Sequence, residues 1–284
     1  MRIEILGSGG AVSAPRPLCR CPICTQARTQ GVPYSRSGPS IFVHGPDLLV
    51  DTPEDILSSL DRSQVASIAA GTYSHWHPDH VMGLRLWEAL NGDWVHWPAH
   101  PQCTPLYFPQ RVAADIRGKL GVWESFEFMQ QRGLIEIIEL ADGESFQSNG
   151  YTITPLQLAE EYMYGFIIAG DKKRVLIVAD ELFGWQPRPE LGHFDLVVLP
   201  MGVAEYNPLT GRRHYPQDHP VLVREATIEQ TLDIARRLDA RQIVLTHISE
   251  PEQLGYDDLL VLQEKLRRKG LPITFAYDAL IAEA

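Results

Sequence analysis

The chain has 284 residues, 44% hydrophobic and 21% charged, which suffices for a buried core without disulfide staples and includes no apolar run of the roughly 20 residues a membrane helix needs. A formal net charge of -11 argues against a long nucleic acid as partner, because such binding depends on a basic stripe. A small phosphorylated substrate stays open, since bound metal ions supply positive charge locally.

Met1 to Gly7 reads as a strand that lacks the apolar core and small-residue cleavage site of a signal peptide, and this points to the cytoplasm. Gly7, Gly9 and Gly10 then read as a tight turn and not as a nucleotide fingerprint, because no helix-length apolar pattern follows directly. Three of the four cysteines come next, in Cys19-Arg20-Cys21-Pro22-Ile23-Cys24. In a reducing compartment, thiolates so spaced wrap around one structural zinc and take a fourth ligand from elsewhere. Cys103 stands alone and reads as a small buried side chain. Ser40 to Val43 and Leu48 to Asp51 flank the turn His44 to Asp47 as a hairpin, and Glu54 to Leu60 reads as a short helix.

Ile68 to Ser74 is a strand whose end delivers His75-Trp76-His77-Pro78-Asp79-His80. Three imidazoles and a carboxylate within six residues point to a metal centre. In a turned loop His75 and His77 face one position and Asp79 and His80 a second, the arrangement two-metal hydrolases need. Gly83 to Leu90 has helical spacing, and a Trp- and Pro-rich stretch runs from Trp94 to Pro109. Trp87, Trp94 and Trp97 read mostly as core, and Trp76 as a wall of the pocket.

Short β-rich runs follow at Ile135 to Leu140, Tyr151 to Leu158, Gly165 to Ala169, Arg174 to Ala179 and Asp195 to Pro200. Glu205 to His219 is a long polar loop with Tyr206, Arg212, Arg213, His214 and His219, of the length and composition that cover active sites. Arg212, Arg213 and His214 are candidate substrate contacts, the arginines either clamping a phosphate or forming a solvated basic turn. Thr227 to Leu238 is a helix opened by a capping box, Gln242 to Thr246 a strand ending at His247, Leu259 to Lys269 an amphipathic helix, and Ile273 to Tyr277 a strand. Two β-rich halves, each followed by helices, predict an α/β (α+β) four-layer αββα sandwich in one domain over residues 1–284, knuckle at 19–24 included. The loops joining its strands converge at one edge.

Together, Thr72 to His80, the strand-ending Asp180 and Thr246-His247-Ile248-Ser249 resemble the metallo-β-lactamase fold superfamily. Gly7 to Gly10, the cysteine spacing and the Thr-His-Ile-Ser segment are similar to its PhnP branch, which contains a cyclic ribose-phosphate phosphodiesterase of the carbon-phosphorus lyase pathway. The resemblance implies that His75 and His77 bind one metal, that Asp79, His80 and His247 bind a second, and that Asp180 bridges them. It also implies a metal-activated hydroxide attacking phosphorus. Asp51, ending a strand before Thr52-Pro53, reads by its position as a residue that orients the motif histidines from behind.

Three positions depart from the family pattern. The stretch Thr154-Pro155-Leu156 leads to Gln157-Leu158-Ala159-Glu160-Glu161 and not to a first-metal histidine. Either Glu160, less readily Glu161, serves as an oxygen ligand favouring manganese over zinc, or the first site is weak or empty. Glu250 takes the place of the fourth structural-zinc ligand beside Cys19, Cys21 and Cys24, unless water or another side chain completes that shell. Glu225 stands where relatives carry a proton-transfer histidine, either as a general acid or as an acidic residue near a helix N-terminus.

The expectation is a metal-dependent hydrolase of a small (cyclic) phosphodiester, with Asp79, Asp180 and Glu225 as catalytic groups, two active-site divalent ions (Zn or Mn) and one structural Zn. Its alternatives are a thioester or lactone hydrolase on the same fold and a degenerate member that binds metal or phosphate without turnover. A homodimer is compatible with the acidic charge and the aromatic content.

Overall fold

The computed structural model describes residues 1–284. Its first sheet is built from β1 (Arg2–Gly7), β2 (Ser40–His44), β3 (Leu48–Val50), β4 (Ala70–Thr72), β5 (Thr104–Pro109) and β6 (Ile135–Leu140). The second holds β7 (Phe146–Ser148), β8 (Tyr151–Gln157), β9 (Tyr164–Gly170), β10 (Lys173–Ile177), β11 (Leu196–Pro200), β12 (Ile243–Thr246) and β13 (Ile273–Phe275). The last strand, β14 (Leu280–Glu283), returns to the first sheet beside β1, giving the orders β14-β1-β2-β3-β4-β5-β6 and β13-β12-β11-β10-β9-β8-β7.

Alternation along the strands explains the four layers. Ile41 and Val43 of β2, Leu48 and Val50 of β3, and Val175 and Ile177 of β10 point into one core between the sheets. Their neighbours Phe42 and Leu49 face outward instead, onto a second core with Trp87, Val112, Trp123 and Phe126. Leu176, Val197 and Leu199 face a third, with Ile234, Leu259 and Leu262 of the late helices. Strands buried on both faces need helices outside, so two such sheets stacked give αββα. Within the sheets β3–β4–β5–β6 and β10–β11–β12–β13 pair in parallel, which carries their C-terminal ends to one edge.

Several elements differ from the sequence reading. The Trp- and Pro-rich stretch contains β5, an interior strand flanked by β4 and β6, and helices at Gln110–Asp115 and Trp123–Gln131 follow it. A helix at Pro22–Gln30 grows out of the cysteine cluster. Trp87 is fully buried, whereas Trp94 and Trp97 are 71% and 95% exposed because the segment carrying them lies outside the layers. Cys103, just before β5, is exposed and not buried. No helix is long and apolar enough to cross a membrane.

Candidate metal centre

Every candidate ligand leaves a strand at the same edge. β4 runs into His75–His80, β10 is followed within three residues by Asp180, and β12 ends immediately before His247. The donor atoms gather in two groups, His75 with His77 and Asp180, and Asp79 with His80 and His247, all within 4.8 Å inside each group. Asp180 joins the groups, its Oδ2 lying 3.3 Å from His75 Nε2 and 3.8 Å from His80 Nε2, and its Oδ1 3.4 Å from His247 Nε2.

Four of these atoms, His75 Nε2, Asp79 Oδ2, His80 Nε2 and His247 Nε2, are buried and have no hydrogen-bond partner. Unsatisfied buried polar groups cost about 1–3 kcal/mol each, so four converging in one place require a ligand. Nitrogen and carboxylate donors directed at two adjacent points suit divalent transition ions.

Surrounding residues fix the orientation. The Asp51 carboxylate accepts from Ser74 N at 2.7 Å, Ser74 Oγ at 2.6 Å and His80 Nδ1 at 2.8 Å, which turns the His80 Nε2 lone pair toward the centre. A Cβ on Gly10 would stand 2.8 Å from the His247 ring, so the glycine turn after β1 packs directly on this ligand. Burial works against charge throughout, but the imidazoles of His80 and His247 outweigh it and hold Asp79 well below the carboxylate range. Burial and the neighbouring His80 push His75 down to about 4, which keeps it neutral and ready to coordinate.

A third donor group lies at the knuckle. Cys21 caps the helix Pro22–Gln30, and its Sγ lies 3.0 Å from Glu250 Oε1, with Cys24 at 3.5 Å and Cys19 at 3.7 Å. The segment that carries Glu250 also carries His247 and is tied to the N-terminal loop by Ile248 N to Ser8 O and Glu250 N to Val12 O.

The paired groups open into a cleft of about 580 Å3 whose wall includes His77, Asp79, Asp180, Glu181, Tyr162 and Glu225. Enclosure by the cleft and the Asp180 charge raise Glu225 to about 7 and Glu181 to about 8. Glu181 also accepts from the backbone N–H groups of Phe183 and Ala226.

Residues 45–248 match the family described as the beta-lactamase superfamily domain. The chain belongs to the metallo-β-lactamase superfamily. Among curated proteins, an octanoyltransferase of Porphyromonas gingivalis is 24% identical over 92% of this chain, and the matched stretch spans 49% of that relative's length. Among solved structures, Zn(2+)-bound PqqB from Methylobacterium extorquens aligns over 100% of both chains with a TM-score of 0.74 at 18% identity. A diphosphatase from the PhnP family aligns over 100% of this chain and 97% of its own, with a TM-score of 0.70 at 22% identity. At these identities the structural matches show the fold, and they are consistent with a PhnP-like branch.

Against that metallo-β-lactamase frame, some candidate residues fall outside the centre. Glu160 is not among the grouped donors, because the turn from β8 to β9 closes early, with Met163 N on Glu160 O at 3.0 Å and Leu158 N on Met163 O at 2.9 Å. Glu161 pairs with Arg111 instead. Tyr162, which the sequence reading passed over, takes the place beside the histidines, its ring 5.7 Å from that of His77 and 6.3 Å from that of His75.

Arg212, Arg213 and His214 do not line the cleft. Arg213 is held at 2.8 Å by Glu205 within the loop, and His214 Nε2 donates to Pro251 O at 2.7 Å in the turn after His247, so both side chains are occupied by contacts away from the cleft. Tyr215, His219 and Arg224 line the cleft in their stead. Trp76 packs with the outer core of the first sheet and not on the cleft. Glu181 and Glu252 also line the cleft without a place in the sequence reading, although a glutamate directly after Asp180 was a signal available there.

Proposed function

We propose that the protein is a metal-dependent hydrolase of small phosphoric diesters, with two divalent ions at the paired donor groups and one zinc at the knuckle. The observation that carries the reading is the sharing of Asp180 between two buried, unpartnered donor groups at the floor of a cleft. When bound, two such ions supply Lewis acidity and an activated water. The chain's own residues then have separable tasks: Asp51 orients His80, Asp180 spans the two groups, and Glu225 faces the cleft with a raised pKa suited to passing a proton to a leaving oxygen.

Charge favours a diester over a monoester. Glu225, partly ionised at neutral pH, lies on the cleft wall, so a monoanionic diester meets less repulsion than a dianionic monoester. The same lining imposes no charge penalty on a neutral thioester or lactone, and this keeps carbonyl hydrolysis as the second reading.

Purified protein assayed on bis(p-nitrophenyl) phosphate, p-nitrophenyl phosphate, a thioester and a lactone tests both. The expected result is diester turnover above monoester turnover, abolished by chelation and reduced at least about 100-fold in Asp180→Asn. Metal-dependent turnover of the lactone or thioester with none of the diester would overturn the phosphodiester reading in favour of the second.

A further inference from the structure

The loop from Leu158 to Met163 is pinned beside the histidine motif, because Tyr164 N donates to Ser74 O at 3.0 Å, directly before His75. Tyr162 stands on this loop with its ring tilted against both His75 and His77, and the Lys119 ammonium lies 5.7 Å from its centroid. It is also a wall residue of the 580 Å3 cleft. Nothing in the chain hydrogen-bonds its hydroxyl, whereas the other phenol of the cleft, Tyr215, already donates to Glu252 Oε1 at 2.9 Å. An unattached phenol beside the first donor group, on a cleft wall that also carries the carboxylates of Glu181, Glu225 and Glu252, is a neutral hydrogen-bond donor available to a bound ligand.

Resting on the phosphodiester reading, we propose that Tyr162 contacts the substrate, its O–H donating a hydrogen bond to a non-bridging phosphate oxygen on the His75 and His77 side of the centre. The chemistry fits the residue. A tyrosine holds its proton at neutral pH, so it stabilises negative charge on phosphate without adding to the acidity of the wall. Glutamate at the same position would repel the substrate, and phenylalanine would fill the space without the donor.

Tyr162→Phe separates the donor from the packing, since the ring against His77 and Lys119 is retained. Three measurements on metal-loaded protein form the test: metal content with thermal unfolding, steady-state hydrolysis of bis(p-nitrophenyl) phosphate, and calorimetric titration with inorganic phosphate. The expected result is unchanged metal content and unfolding temperature, kcat/KM lower by about 10- to 100-fold, and phosphate affinity weaker by about 10-fold, as for one lost hydrogen bond to a charged group. Turnover and phosphate affinity within twofold of the parent would overturn the proposal, as would loss of a metal ion, which would make Tyr162 a ligand or a structural support. Phosphate binding that depends on Tyr162 in a protein without diester turnover would sink the functional reading and uphold this one. A parent protein that neither hydrolyses the diester nor binds phosphate would remove both.

Discussion

Asp51 is the first residue beyond β3, and it takes a positive φ of 63° there. That conformation is strained for a residue with a side chain, and its carboxylate makes three short contacts at once, two with Ser74 and one with His80. Asp51→Asn keeps the size but replaces one acceptor oxygen with a donor, so either Ser74 or His80 loses its partner. The expected effect is a 10- to 100-fold weaker affinity of the His80 group for Zn(2+), measured by competition with a chromophoric chelator. Equal affinity in the two proteins would mean that packing alone orients the imidazole.

This scale also shows what a sequence exposes. His75 to His80 and the cysteine triplet were legible because their ligands are consecutive, whereas Asp180 and His247 became legible only through the family resemblance. Tyr162 was hidden because its place comes from the six-residue turn Leu158 to Met163, whose closure decides that it, and not Glu160, meets the histidines. Arg213 was misplaced because its partner Glu205 lies eight positions away on the same loop, a pairing that composition does not specify.

At the scale of elements, alternation was a reliable guide where strands are continuous. β6 and β8 follow their apolar patterns closely, and Thr227 opens its helix with the reciprocal bonds its capping box requires. β5 was missed because Pro105 and Pro109 read as turn punctuation, yet Leu106 and Phe108 between them are fully buried and supply the packing that holds the strand.

Arg36 shows how an irregular segment can be fixed by one side chain. It is buried, and its guanidinium donates to Ile248 O at 3.1 Å and to Leu254 O, so it braces the segment carrying both His247 and Glu250. Burial lowers its pKa to about 10, and it stays charged at neutral pH. Arg36→Ala leaves two carbonyls unpaired, and the expected loss is about 2–4 kcal/mol in urea unfolding at pH 7. A loss below about 0.5 kcal/mol would show that the segment is held by the N-terminal loop alone.

At the scale of the whole molecule, the two sheets bring three donor groups onto one edge, and the segment from His247 to Glu250 belongs to two of them. Metal content per chain is therefore the measurement that reads the assembled fold. Near three ions per chain are expected by mass spectrometry of protein purified without added metal. Cys21→Ser should remove one and Asp180→Asn the others, because Asp180 serves both active-site groups.

Acid should release the active-site ions first from the His80 and His247 group. Both histidines are buried, which opposes protonation, but Asp180, Asp79 and Asp51 outweigh this and raise their affinity for protons above the ordinary imidazole value. Protons thus compete with the ion at these nitrogens, and affinity rises with pH through the neutral range. His75 and His77, whose proton affinity burial lowers, pay no such competition, so His77 and His75 should hold their ion to lower pH. Their group has only three donor residues even with Asp180, and a count of two ions per chain that falls to one in Cys21→Ser would mean that Asp180 and two imidazoles are too few to hold a second active-site ion. The outcome then turns on which effect is larger, the missing donor at one group or the proton competition at the other. Titrating metal content from pH 8 to pH 5 resolves it, since the first predicts a deficit at every pH and the second a loss confined to the acid side.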